Sequence, residues 1–155
     1  MTSPRIAMTD VSVDTNILAY AEGLGDPIRI QAARDSLLRI AGRMVLCTQV
    51  LGELYNVLVR KAGRPPEAAH DALDQWRSDC RLVGISDVVF WNAAGLAAAN
   101  RLQIWDAVIL AASEAAGCAV MLSEDMQHGF RWRRITIVNP FAQPPHPLIA
   151  GVGGS

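Results

Sequence analysis

Val11-Ser12-Val13-Asp14-Thr15-Asn16-Ile17-Leu18 is the stretch on which the fold turns. Its first half, Val11 to Asp14, is short and β-branched, which suits a pleated and buried surface. Its second half opens on a polar cluster, Asp14-Thr15-Asn16, and continues as a short helix from about Asn16 to Ala21. A strand that hands over directly to a helix is half of a β–α unit. The junction recurs along the chain. Met44 to Thr48 reads as a second strand running into a helix from Gln49 to Lys61, stopped at Gly63. Arg81 to Ile85 reads as a third strand, after which Ser86 caps an alanine-rich helix to about Asn100. A helix over Trp105 to Ala116, closed by Gly117, leads to a fourth strand, Cys118 to Leu122, and Ile135 to Val138 is a fifth. Ile28 to Ile40 has helical spacing with Arg29, Arg34 and Arg39 facing outward, and Pro65-Pro66 opens another helix over Glu67 to Arg77.

Strands alternating with helices imply an α/β fold with a mostly parallel sheet covered on both faces. In such sheets a ligand binds outside the carboxyl ends of the strands. Asp14 and Asp125 both follow strands directly, and Glu53 lies on the first turns of the helix leaving the second strand. Strand order alone therefore brings three acids to one edge.

The 155 residues fit one domain with a core that needs no staples. We expect that domain over 1–141, followed by a flexible tail, 142–155, rich in proline and glycine. Hydrophobic residues form 51% of the chain and the net charge is −1, so the total charge provides no general grip on nucleic acid. Cys47, Cys80 and Cys118 are odd in number and far apart, and read as buried apolar fillers in a reducing compartment. The first ten residues lack the pattern of a signal peptide, and Arg101, Asp106 and Glu114 interrupt the longest apolar region. A cytoplasmic protein that does not span a membrane is expected.

Four carboxylates stand where carboxylates are costly, at the end of or inside apolar runs: Asp14, Glu53, Asp106 and Asp125. Lys61 is the single lysine, and few arginines lie near these acids in sequence. Each acid has an ordinary structural alternative. Asp14 and Asp125 suit caps, Asp106 suits the first turn of a helix, and Glu53 suits a rim pair with Arg60. Four independent caps at one edge explain the set poorly. If the four converge, the natural neutraliser is a hard divalent cation, magnesium or manganese, because no cysteine or spaced histidine accompanies them. Such a site hydrolyses phosphodiesters. Asn16 and Ser123 add neutral polar groups that can orient water or a carboxylate, and Glu124 ranks below Asp125.

Other acid-bearing α/β sites fit less well. A phospho-acceptor receiver needs an acidic pair after the first strand and a lysine after the last. A haloacid-dehalogenase-type phosphatase needs two aspartates flanking one residue where this chain has Asp14-Thr15-Asn16. No Gly-rich phosphate loop or Gly-x-Ser-x-Gly elbow is present. Arg131-Trp132-Arg133-Arg134 follows Asp125 closely and reads either as a solvated loop beside an edge strand or as an RNA-gripping, base-stacking patch at the mouth of the acid site.

Val13-Asp14-Thr15-Asn16-Ile17-Leu18, Gly52-Glu53-Leu54, Trp105-Asp106-Ala107 and Leu122-Ser123-Glu124-Asp125, in that order, resemble the PIN-domain ribonucleases, and among them the toxins of the VapBC type. The closing Ile137-Val138-Asn139-Pro140-Phe141 resembles a subgroup of them, and Ser123 stands where many members carry threonine. The resemblance spans about residues 10–141. It implies a three-layer α/β/α fold with a parallel five-stranded sheet, one or two Mg2+ or Mn2+ ions, and hydrolysis of RNA. It also implies a homodimer held inactive by a cognate antitoxin. By position, Asp14, Glu53, Asp106 and Asp125 are the implied catalytic acids, with Asp14, Asp106 and Asp125 on the metal and Asn16 and Ser123 in support. The alternative is a PIN-like module that binds RNA or a protein without cutting.

Overall fold

The computed structural model describes residues 9–150; Met1–Met8, which carry most of the signal-peptide reading, and 151–155 of the expected tail lie outside the described residues. The chain order is β1 (Val11–Val13), α1 (Thr15–Ala21), α2 (Pro27–Arg39), β2 (Met44–Cys47), α3 (Thr48–Asn56), α4 (Pro66–Asp79), β3 (Arg81–Val83), α5 (Asp87–Asn100), α6 (Ile104–Ala115), β4 (Val120–Leu122), β5 (Arg131–Trp132), β6 (Ile135–Val138) and α7 (Pro147–Ala150). The last turn of the helix begun by α3 widens to π geometry over Val57–Lys61, where Ala62 N–H reaches back to the Val57 carbonyl.

The sheet has six strands in the order β3-β2-β1-β4-β6-β5. Five are parallel, as expected, and the sixth is the two-residue β5, which returns antiparallel onto β6. β1, β2, β4 and β6 are buried along their whole length, as strands covered on both faces must be. The chain lays down β1, β2 and β3 in one direction, then crosses back to place β4 on the other side of β1. That reversal leaves a crevice between the carboxyl ends of β1 and β4, where open α/β sheets bind ligands.

One apolar core joins the sheet to the helices, with Ile17, Leu18, Leu54, Leu58, Ile109 and Leu110 fully enclosed. α6 is buried along most of its length and packs against α5 and β2. It ends in a turn where Gly117, at φ +91°, takes the left-handed conformation that branched residues resist, so the chain can enter β4. Glu22 fastens the end of α1: it accepts from Arg64 at 2.5 Å and from the Trp76 indole at 2.8 Å. Cys47 and Cys118 are buried, as expected of apolar fillers, whereas Cys80 is only half-buried; burial pushes the Cys80 thiol up to about 11 and the Cys118 thiol to about 12. Beyond β6, Phe141, Leu148 and Ile149 pack against the core. No helix among the described residues is long and apolar enough to cross a membrane.

Candidate active site

Asp14 is built into the β1–α1 junction. Its backbone N–H donates to the Leu122 carbonyl of β4 at 2.9 Å, and its side chain caps α1 by accepting from Thr15 N–H at 2.8 Å. Its second oxygen accepts from the buried Ser123 hydroxyl at 2.8 Å, and that hydroxyl in turn accepts from Met126 N–H at 3.2 Å. Only 7% of Asp14 is exposed. Burial pushes its carboxyl up to about 6; the bonds from Ser123 and Thr15 pull against this, and the charges of Asp106 and Glu53 add to it.

Thr15 points its hydroxyl at Glu53 Oε2 over 2.6 Å, while Gln49, one turn earlier on α3, donates to Glu53 Oε1 at 3.3 Å. Asn16 donates its side-chain N–H to Asp125 Oδ2. Asp106 lies on the first turn of α6, where Gln103 caps its backbone N–H at 2.9 Å. Burial holds its carboxyl above the usual range, and the charges of Glu53 and Asp125 reinforce the shift. Among the described residues its carboxylate has no hydrogen-bond donor and no cation, and none of the ion pairs involves Asp14, Glu53 or Asp125 either.

The structure therefore brings Asp14, Glu53, Asp106 and Asp125 into one electrostatic neighbourhood that is short of positive charge. The acids do not form a closed cage: among the described residues no three His, Cys, Asp or Glu side chains stand together as ready ligands. An all-carboxylate set of this open kind still suits magnesium, which keeps several waters and takes only one or two carboxylates directly. Asn16 and Ser123 each hold one of the acids by a hydrogen bond, and the alternative pairing of Glu53 with Arg60 is absent.

Two expectations are corrected. Arg131–Arg134 does not stand at the mouth of the acid site. Trp132 pairs with Ile135 at the amino end of β6, whereas the acids lie beyond the carboxyl ends of β1 and β4. The four residues of β6 separate those edges by roughly 10–13 Å. There Arg133 stacks on Trp132 at 4.3 Å and faces Glu114, near the far end of α6 from Asp106. Arg29 is not turned wholly to solvent; partly exposed, it pairs with Glu124 at 3.2 Å and lies 4.6 Å from the Phe141 ring centre.

Thr15, Gln49, Tyr20 and Gln103 are the contributors that sequence reading left unassigned. Gln49 was discoverable from its four-residue spacing to Glu53. Gln103 was discoverable from its place three residues before Asp106, at a helix start. Tyr20 donates to Glu124 at 2.6 Å, a contact between residues 104 apart in sequence that no local pattern announces.

Residues 11–131 match the PIN domain model. No curated protein matches the chain in sequence. Among solved structures it is similar to VapC20 of Mycobacterium tuberculosis, a sarcin–ricin-loop-cleaving toxin, at 21% identity and TM-score 0.64 over 75% of this chain and 90% of that one. A toxin–antitoxin complex from Klebsiella pneumoniae matches at 18% identity and TM-score 0.66 over 85% of this chain and 98% of that one. FitAcB from Neisseria gonorrhoeae matches at 16% and 0.59 over 84% and 97%. At these identities the likeness is one of fold. With the family model covering most of its length and all the predicted elements in place around Asp14, the chain belongs to the PIN-domain family.

Proposed function

We propose that this protein is a metal-dependent endoribonuclease that acts in the cytoplasm as the toxin of a toxin–antitoxin pair. The observation that carries the reading is the gathering of Asp14, Glu53, Asp106 and Asp125 at one sheet edge with no cationic side chain paired to them among the described residues. Asp14, Asp106 and Asp125 would hold one or two hard divalent ions, Mg2+ or Mn2+. Such an ion supplies Lewis acidity, neutralising the phosphate and making a nearby water a better nucleophile.

The remaining work belongs to side chains. Ser123 and Thr15 N–H fix Asp14 so that its oxygens present one geometry. Thr15 and Gln49 leave the Glu53 carboxylate oriented and able to accept a proton from the attacking water. Asn16 keeps Asp125 turned toward the edge. Asp125 is exposed and Glu53 and Asp106 are partly so, which lets a polymer approach from the side.

RNA as substrate is supported by the fold shared with a sarcin–ricin-loop-cleaving toxin, and an antitoxin partner by the fold shared with the toxin–antitoxin complex from Klebsiella pneumoniae. Val88 and Trp91 on α5, 62% and 72% exposed, offer apolar surface to a second copy. The test is cleavage of RNA by wild type and Asp14→Asn with Mg2+ or Mn2+ present. Loss of cleavage in a folded variant supports the reading, and retained cleavage overturns it.

A further inference from the structure

We propose that Tyr20, Arg29 and Phe141 form a positioning clamp that fixes the acid-bearing loop after β4, so that the segment beyond β6 sets the placement of Asp125. This rests on the ribonuclease reading for its consequence, though not for its geometry. Glu124 and Asp125 are consecutive, and α1 holds each from one face: Asn16 donates to Asp125, and Tyr20, one turn later, donates to Glu124 Oε1 at 2.6 Å. Arg29 of α2 takes the other Glu124 oxygen at 3.2 Å. Both Glu124 oxygens are thus engaged by α1 and α2, and the backbone it shares with Asp125 is pinned.

The clamp has a third wall. Phe141 meets the Tyr20 ring edge-on with centres 5.5 Å apart, and the Arg29 guanidinium lies 4.6 Å from the Phe141 ring centre. Gly25 also lies close against Tyr20, where a Cβ would come within 2.7 Å of the ring. Phe141 is itself seated by the Asn139 side chain, which accepts from Phe141 N–H at 2.9 Å, while Asn139 N–H donates to His128 Nδ1 at 2.9 Å. The segment is thus tied to both ends of the loop. Phe141 lies beyond residue 131, where the family match stops.

The test uses the full chain and two readouts. In metal-free protein, Phe141→Ala should speed hydrogen exchange at the backbone amides of 124–127 by at least about tenfold, with α6 unchanged. Tyr20→Phe keeps the ring and removes only the hydroxyl; it should do the same to a smaller degree. Calorimetric titration with MnCl2 should then show about 10-fold weaker binding in both, with Phe141→Tyr close to wild type. Unchanged exchange at 124–127 in both variants overturns the clamp, whatever the metal does. Faster exchange in a protein whose wild-type form binds no manganese upholds the clamp and overturns the ribonuclease reading instead.

Discussion

Ser123 donates its hydroxyl hydrogen bond to Asp14 Oδ2 at 2.8 Å, joining the carboxyl ends of β1 and β4 through two side chains that are almost wholly buried. This contact lowers the Asp14 carboxyl against the upward push of burial. Ser123→Ala should therefore raise that carboxyl further above 6, move the acid limb of the pH–rate profile to higher pH, and cost about 1–2 kcal/mol of stability. Ser123→Thr, which keeps the hydroxyl, should do neither. Chemical denaturation and a pH–rate profile on the three proteins decide the matter.

Asp14 also sets a pH dependence of stability. Its folded carboxyl sits at about 6 against an ordinary value of 3.8, so between those values the native state binds the extra proton. Stability without metal should fall as pH rises through that window, because the unfolded chain ionises freely while the native site resists. Asp14→Asn removes the resisting charge and should stabilise the chelator-treated protein at pH 8 by up to about 3 kcal/mol. Thermal unfolding at pH 4 and pH 8 checks the sign; equal slopes for the two proteins would refute it.

Thr15→Val is nearly the same shape but loses the hydroxyl that holds Glu53 Oε2 at 2.6 Å. We expect an intact fold and a fall in kcat of about 10- to 100-fold with little change in KM, since the acid is misdirected rather than removed. Single-turnover cleavage measures it.

Arg133→Ala with Arg134→Ala tests the corrected position of the basic run. Because those residues lie at the opposite sheet edge, the double variant should cleave within about twofold of wild type with the same salt dependence. A steep loss would show that substrate reaches across both edges.

How far the sequence could be read follows from the range of its signals. Val11–Val13 and Met44–Cys47 are buried runs that hand over within a residue or two to a helix, and Val120–Leu122 is an apolar run set off by the Gly117 turn, so strand identity, parallel order and the edge occupied by Asp14, Glu53 and Asp125 were legible. β5 was not: two residues carry no period, and the turn through Arg133 at φ +53° hides behind a residue that seldom adopts it. Arg29 looked outward because helical spacing ranks faces by hydrophobicity, while its partners Glu124 and Phe141 come from the other end of the chain. Asp106 was legible as a misplaced acid on an apolar helix, and its approach to Glu53 and Asp125 needed the fold.

Asp106 provides the most direct test. Its carboxylate accepts no hydrogen bond and joins no ion pair among the described residues, so Asp106→Asn removes a charge whose structural part is limited to the first turn of α6. The measurement is the rate of RNA cleavage with Mg2+ or Mn2+ by wild type and Asp106→Asn at matched thermal stability. The account predicts a loss of at least about 100-fold in kcat. Cleavage at the wild-type rate would contradict it.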